Sequence, residues 1–227
     1  SLALLMAPRI PSAPGVNTNG LALDVFRKKV SGGAVELVSI TAGGRTGGGA
    51  SENPSISDNG RFVAFQSEAT DLITDPEQLA AGVEDANGEP DVYVRDMLLK
   101  TTALVSINSI GTASGMGGTA GLFGTSLNPV ISGNGRYVVF ESFAEDLVAG
   151  TVAVGRNLFV RDIVSGVTRL ASEDSDPGDL NDSGGNLISS LFQQVISNDG
   201  AIVAFKGDAP DLVLLSFSDW SSTPPMI

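Results

Sequence analysis

The chain has 227 residues, no cysteine, no histidine and a formal net charge of −13. Without cysteine there are no disulfides or thiolates, and without histidine there are no Ser-His-Asp triads or histidine-ligated zinc or iron. The negative charge argues against binding nucleic acid, whose phosphates require a basic surface. No apolar run approaches the ~20 residues of a membrane-spanning helix, so we expect no membrane span.

The remaining composition is typical of a folded chain with many short strands. Hydrophobic residues make up 42% of the sequence, glycine occurs 28 times and aromatic residues contribute only 6%. The hydrophobic content excludes a disordered chain, and the length is sufficient to bury a core. Abundant glycine with few aromatic residues favours short strands joined by tight turns over a helical bundle.

A strand–turn–strand pattern occurs three times and organises the chain. Its copies lie at residues 54–65, 129–140 and 194–205. The Asn-Gly or Asp-Gly dipeptide in each copy supplies the positive φ of a two-residue hairpin turn, so we expect that turn. The second strand of each copy is almost continuously apolar, as at 138–140, which indicates a strand covered on both faces.

Two further segments recur in the same order after the hairpins. The first reads Asp-Val-Tyr-Val-Arg-Asp at 91–96 and Asn-Leu-Phe-Val-Arg-Asp at 157–162, with a shorter copy at 24–26. The second is a short stretch that ends in serine, at 35–39, 103–106 and 169–172. The set repeats with a period of about 65 to 75 residues, so each unit should contain four short strands. In the first complete unit we place them at 54–57, 61–66, 91–97 and 102–107, and we predict an all-β fold.

The repeated motif also resembles a known family. It reads Ser-x-(Asp/Asn)-Gly-Arg-(Phe/Tyr)-Val-x-Phe, then Ala-x-Asp-Leu, then Asp-Val-Tyr-Val-Arg-Asp, and the pattern covers about residues 1–213. It is similar to the TolB-like or WD-like β-propeller repeat of bacterial envelope and secreted proteins. Two positions depart from the motif. Ala201 stands in the third hairpin copy where the first two copies have arginine, and Asn157 stands in the second unit where the first unit has Asp91. The resemblance implies a β-propeller of four-stranded antiparallel blades in an extracytoplasmic setting, whether periplasmic, cell-surface or secreted.

The repeats divide the chain into about three blades plus one split or incomplete blade. We treat residues 1–227 as a single propeller or propeller segment, in which 1–50 is a partial blade, 51–110 and 126–173 are blades, and 192–227 is a partial blade with a C-terminal tail. Rings of this kind contain ~4–8 blades. Three arrangements therefore stay open: the chain is a piece of a longer protein, two copies pair through their incomplete terminal blades, or the chain closes alone as a small four-bladed ring.

One loop combines oxygen-bearing side chains at alternate positions. Asp85, Asn87, Glu89 and Asp91 surround a turn at Gly88. Calcium takes six to eight oxygen ligands, so this spacing predicts a calcium site at these four residues. The alternative is an Asx-type turn that leads into the following strand. The equivalent loop of the next unit has lost the carboxylates, which favours the turn.

Other acidic residues give weaker signals. The segment 173–182 carries five carboxylates, and such a run either binds a cation or forms a solvated loop. Glycoside hydrolysis requires two carboxylates close together, but no motif selects a pair among the 26 acidic residues. The sequence therefore predicts no catalytic residue.

These observations favour a non-catalytic, extracytoplasmic binding or scaffold module. A rigid β-propeller would present variable loops or incomplete terminal blades to a protein partner or to a second copy of the chain. The alternative is a propeller-type carbohydrate-active enzyme, a lyase or hydrolase that works through carboxylates with the help of calcium.

Overall fold

The structure is a computed structural model that describes residues 17–117, 124–150, 152, 155–172 and 194–206. These ranges contain twelve strands and one short helix. The strands are β1 (Phe26–Arg27), β2 (Glu36–Leu37), β3 (Ser51–Ile56), β4 (Phe62–Ser67), β5 (Asp91–Asp96), β6 (Thr101–Leu104), β7 (Ser126–Ile131), β8 (Tyr137–Ser142), β9 (Asn157–Asp162), β10 (Val167–Leu170), β11 (Val195–Ile196) and β12 (Val203–Ala204), and the helix is α1 (Pro76–Ala80).

Two four-stranded antiparallel sheets form the centre of the described structure. The first sheet has the order β3-β4-β5-β6 and the second sheet has the order β7-β8-β9-β10. Strands β1 and β2 pair as an N-terminal hairpin, and β11 and β12 pair as a C-terminal hairpin. The all-β prediction and the four-stranded antiparallel units are therefore confirmed. None of the helical structure in the described ranges has the length and apolar composition needed to cross a membrane.

The turn of the repeated hairpin is longer than the predicted two-residue turn. In the first sheet the Gly60 N–H donates to Ser57 O (2.8 Å) and the Ser57 N–H donates to Phe62 O (3.0 Å). The Asn59 side chain accepts from the Ser57 hydroxyl and the Arg61 N–H, each at 2.9 Å. These local bonds fix a wider turn, in which only the glycine has positive φ, at 68°.

A bulge in the first strand of each sheet was not predicted. The register shifts between Glu52 and Ser55 in β3 and at the corresponding place in β7. Asn53 and Asn128 occupy the bulges with φ of 50° and 52°. A proline follows each asparagine, and its missing N–H cannot contribute to the ladder, so both residues suit an interrupted pairing.

Both faces of the first sheet are buried, because alternate residues of its strands enter different clusters. Val63, Phe65 and Tyr93 face one side and share a cluster with Val25 and Val38 of the N-terminal part. The intervening side chains enter a second cluster with the second sheet, whose members include Ala64, Val92, Val94, Val138, Phe140 and Phe159. The continuous apolar runs in the sequence therefore reflect burial on two faces, as predicted.

The second sheet is enclosed in the same way. Its residues Val139 and Leu158 point away from the first sheet and pack with Val203 of the C-terminal hairpin. Strand β7 contacts β3, β4 and β5, and β11 contacts β7, so each unit lies on the preceding one through its first strand. Backbone hydrogen bonds between turns add to this stacking, from Asp58 N–H to Gly133 O (3.0 Å) and from Asn134 N–H to Asn198 O (2.8 Å).

Helix α1 covers the outer edge of the first sheet. Asp75 caps its first turn by accepting from the N–H groups of Glu77 and Gln78. The Gln78 side chain then pairs with both backbone groups of Leu104 in β6, each at 2.8 Å. An edge strand that would otherwise expose unpaired backbone groups is thereby closed. The pair Asp75-Pro76 at the start of this helix is a helix-start signal in the sequence.

Salt bridges join the hairpin turn to the third strand in both sheets. Arg61 Nη2 lies 2.6 Å from Asp96 Oδ2, and Arg136 Nη2 lies 2.6 Å from Asp162 Oδ2. Burial alone would raise the pKa of Asp96, but hydrogen bonds from Arg61 and from two backbone N–H groups lower it overall. The arginine and aspartate of the repeated motif therefore stabilise each sheet rather than form a binding site.

A glycine pair tests the packing between units. Gly60 and Gly135 have similar positive φ, but a Cβ on Gly135 would lie 2.5 Å from Phe62 Cδ2, whereas one on Gly60 would lie 3.9 Å from Ile56 Cδ1. Gly60→Ala should cost about 1–2 kcal/mol of folding free energy through backbone strain. Gly135→Ala should cost about 1–3 kcal/mol more folding free energy than Gly60→Ala, because the added methyl group also displaces the Phe62 ring. Equal costs in urea unfolding would contradict the packing described.

Candidate functional site

The loop that precedes β5 is held by the segment that leads to the second sheet. Glu84 and Ala113 form a parallel bridge. The Ser114 hydroxyl accepts from the N–H groups of Ala86 (3.1 Å) and Asn87 (3.3 Å). These contacts fix the backbone at the positions where the sequence predicts a calcium site.

Asp91 begins β5 and is fully buried. Its Oδ1 accepts from the Ser106 hydroxyl at 2.5 Å, and the Ser106 oxygen accepts from the Val92 N–H at 3.0 Å. The same contact recurs in the neighbouring units, between Ser39 and Asp24 (3.0 Å) and between Ser172 and Asn157 (3.3 Å). The Oδ1 atom of Asp91 therefore has a structural role as the acceptor for Ser106. The side-chain amide of Asn157 has the same role for Ser172 in the second sheet.

Asp85 lies against the hydroxyl of Tyr93. That hydroxyl donates to Asp85 Oδ2 and also lies 3.1 Å from Ala69 O. Burial raises the pKa of the Asp85 carboxyl, and the hydrogen bond from Tyr93 only partly offsets this. Burial and the Asp85 charge also raise the pKa of Tyr93, so the phenol stays protonated and can donate. Tyr93 is the only tyrosine at its position, since Phe26 and Phe159 occupy the equivalent places.

Asp85 and Asp91 form a close pair of carboxylates. Burial, followed by the charge of Asp85, raises the pKa of Asp91 well above its ordinary value. Asp85 Oδ1 and Asp91 Oδ2 are both buried and have no hydrogen-bond partner. Within the described ranges, no lysine or arginine forms an ion pair with either residue. The arrangement is a pair of adjacent buried carboxyl groups in which one oxygen of each has no donor.

The other two predicted ligands have hydrogen-bond partners of their own. Asn87 Oδ1 accepts from the Glu89 N–H (2.8 Å), and Asn87 Nδ2 donates to Gly115 O (2.9 Å). Glu89 Oε2 accepts from the Thr125 hydroxyl at 3.0 Å, towards the second sheet. Asn87 thus forms the predicted Asx turn and its side chain also contacts the Asp91 carboxyl, whereas Glu89 is turned towards Thr125. In the described part of the chain, no three His, Cys, Asp or Glu side chains group as metal ligands. The acidic segment at 173–182 lies outside the described residues.

A second polar cluster links the first strands of the units, and the sequence analysis missed it. Asn53 Nδ2 donates to Asn128 Oδ1 at 2.9 Å. Gln66 Oε1 accepts from Asn53 Nδ2 and from the Asn128 N–H, each at 3.0 Å. The bulges described above bring these residues of two sheets together. The recurrence of Asn-Pro at the same place in both repeats was the available signal.

A buried carboxylate extends this polar cluster towards the C-terminal hairpin. Glu141 is fully buried and accepts from Asn128 Nδ2 (3.1 Å) and from Arg156 Nη1 (3.2 Å). Gln194 Nε2 donates to Asn128 O, which connects a third unit. Burial raises the pKa of Glu141, and the contacts with Asn128 and Arg156 partly offset this. We interpret the cluster as a device that fixes the relative positions of successive units.

The solved structures that are similar to this chain include two TolB structures. TolB from Acinetobacter baumannii is 14% identical over 82% of this chain and 32% of its own, with a TM-score of 0.42. A putative TolB from Agrobacterium tumefaciens is 15% identical over 65% of this chain and 40% of its own, with a TM-score of 0.38. The chain thus spans less than half the length of either structure. No family model matches the chain, and no curated protein does.

Two substitutions at Asp91 separate its structural and charged roles. Asp91→Asn keeps an oxygen for the Ser106 hydroxyl, as Asn157 does in the second sheet, and removes a buried charge. In the presence of EDTA we expect this variant to unfold at the same or a higher urea concentration than the wild type. Asp91→Ala removes the acceptor and should cost about 1–3 kcal/mol. A large loss of stability in Asp91→Asn under these conditions would contradict the assignment.

Proposed function

We propose that the chain is a β-propeller-type scaffold that binds proteins, and that its units associate with further units of the same kind. The observation that carries this proposal is a contact between successive hairpins. The Phe62 ring packs where Gly135 lacks a side chain, and the Tyr137 ring does the same at Gly200. A Cβ on Gly200 would lie 1.9 Å from Tyr137 Cδ2, so glycine is required there.

Among the described residues, the contact residue of the C-terminal hairpin is largely exposed. Ile202 occupies the position of Phe62 and Tyr137 in the repeat. Tyr137 is 8% exposed, whereas Ile202 is 66% exposed, and Val195 on the paired strand is 56% exposed. No glycine of a following unit packs on Ile202 within the described ranges. An apolar surface of this kind fits a hairpin that belongs to another molecule.

We propose that the preferred occupant is a second copy of the chain. A head-to-tail contact of this type either closes a ring or extends an assembly, depending on the rotation between units. The sheets would then act as blades, and the terminal hairpins would complete blades between copies. A different protein that presents a β-hairpin is the alternative partner. The motif resemblance supports an extracytoplasmic location for this module.

The close carboxylate pair does not support the enzyme alternative. Two carboxylates that cleave a glycosidic bond must both reach the sugar. Asp91 is fully buried and engaged by Ser106, so it cannot contact a polysaccharide. We therefore propose a non-catalytic role for this loop.

Substitution at Ile202 tests the proposed association. Sedimentation should show wild-type protein heavier than the 23.2 kDa monomer, in a concentration-dependent manner. Ile202→Asp should shift the distribution to the monomer because the charge cannot be buried against a second hairpin. The matched control is Ile110→Asp, which alters an equally apolar residue that is 78% exposed in a loop. A monomeric wild type at all concentrations, or equal effects of both substitutions, would contradict self-association.

A further inference from the structure

We propose that Asp85 and Asp91 form a binding site for a divalent cation of the calcium class, bound between Asp85 Oδ1 and Asp91 Oδ2. This site is independent of the proposed scaffold function and differs from the site that the sequence predicts. Only two of the four predicted residues contribute carboxylate ligands.

The first observation is a pair of free acceptor atoms inside the protein. Asp91 has no exposed surface, yet its Oδ2 has no hydrogen-bond partner. Asp85 Oδ1 is also buried without a partner. A buried carboxylate oxygen without a donor is costly, and carboxylates inside proteins are usually paired or bound to a metal. These two atoms are therefore the acceptors that a ligand should occupy.

The second observation is the charge around these atoms. Asp85 Oδ1 and Asp91 Oδ2 are both buried and have no donor. Two adjacent carboxylates cannot both stay ionised in a buried place without a compensating charge. Within the described ranges that charge comes from no side chain. A divalent cation would neutralise both residues.

The third observation is that the fold does not require two carboxylates here. The loop at Asn17 has the same hydrogen bond as the loop at Asp85. In the first loop the Thr18 N–H donates to Thr46 Oγ1 (2.9 Å), and in the second the Ala86 N–H donates to Ser114 Oγ (3.1 Å). Asn17 and Asp85 each precede the donating residue and are therefore equivalent. The N-terminal unit therefore has an amide where the first sheet has Asp85. The second sheet has Asn157 where the first has Asp91. Only the first sheet combines both carboxylates, together with the tyrosine that contacts one of them.

The fourth observation is that the remaining carboxylate oxygens are already held. Tyr93 donates to Asp85 Oδ2, and Ser106 donates to Asp91 Oδ1. Such outer contacts orient the ligand oxygens of metal sites. Hard oxygen donors select calcium-class cations over zinc or copper, and calcium readily takes waters for its other positions. Asp85 is half-buried and its neighbours Ala86 and Gly88 are exposed, so the site lies close to the protein surface.

Calcium titration of metal-free protein tests this site. Wild-type protein should bind Ca²⁺ in calorimetry, and its melting temperature should rise with Ca²⁺ and fall back with EDTA. Asp85→Asn and Asp91→Asn should each lose at least about tenfold in affinity, because each removes a charged ligand. Glu89→Gln is the matched control and should keep its affinity, since Glu89 contacts Thr125 instead. Absence of a Ca²⁺-dependent shift in the wild type, or the same shift in Asp91→Asn, would overturn the proposal.

Terbium luminescence gives a second readout that does not depend on stability. Tyr93 contacts Asp85, so Tb³⁺ bound between the carboxylates should be sensitised by excitation of this tyrosine. Tyr93→Phe should abolish most of the signal, whereas Tyr137→Phe, which alters the other tyrosine of the chain, should retain it. Excess Ca²⁺ should quench the signal of the wild type. A signal that survives in Tyr93→Phe would place the ion elsewhere and overturn the assignment.

Discussion

Burial on both faces of each sheet is the constraint on which the rest of the structure depends. Alternate residues of β4 and β5 enter two different clusters, one with the N-terminal part and one with the second sheet. A sheet with two apolar faces cannot bury both of them by itself, so each unit needs a neighbouring unit on both sides. Phe62 against Gly135 and Tyr137 against Gly200 fix how the neighbours fit. The exposure of Ile202 follows directly, because it is the last member of that series in the described chain.

The repeat pattern was sufficient to predict most of the architecture. Apolar runs at 63–65 and 138–140 indicated strands buried on two faces, and recurrence at a regular period indicated four strands in each unit. These signals are reliable because they depend on backbone periodicity and burial, which every copy must satisfy. The turn prediction was wrong, because the side chain of Asn59 bonds to its own neighbours and fixes a wider turn. The bulges at Asn53 and Asn128 were missed because pairing register is decided by contacts between strands.

The sequence predicted which residues lie in the candidate site but not the directions of their side chains, because those directions depend on contacts with another segment. Spacing along the loop placed Asp85, Asn87, Glu89 and Asp91 together, but their directions depend on Ser114 and Thr125, which come from the segment before the second sheet. That segment turns Glu89 away and leaves the two aspartates facing each other. The pairing of Tyr93 with Asp85 was visible only in the fold. A comparison of equivalent positions, Phe26, Tyr93 and Phe159, would have marked the first sheet as different.

Native-state hydrogen exchange tests most directly whether the two sheets are one cooperative structure. We expect the backbone amides of β4 and β5 and those of β8 and β9 to exchange through openings of the same free energy, equal to that of global unfolding. The reason is that loss of either sheet exposes the apolar face of the other. Exchange of β8 and β9 through a lower-energy opening, while β4 and β5 remain protected, would contradict mutual burial as the basis of the fold.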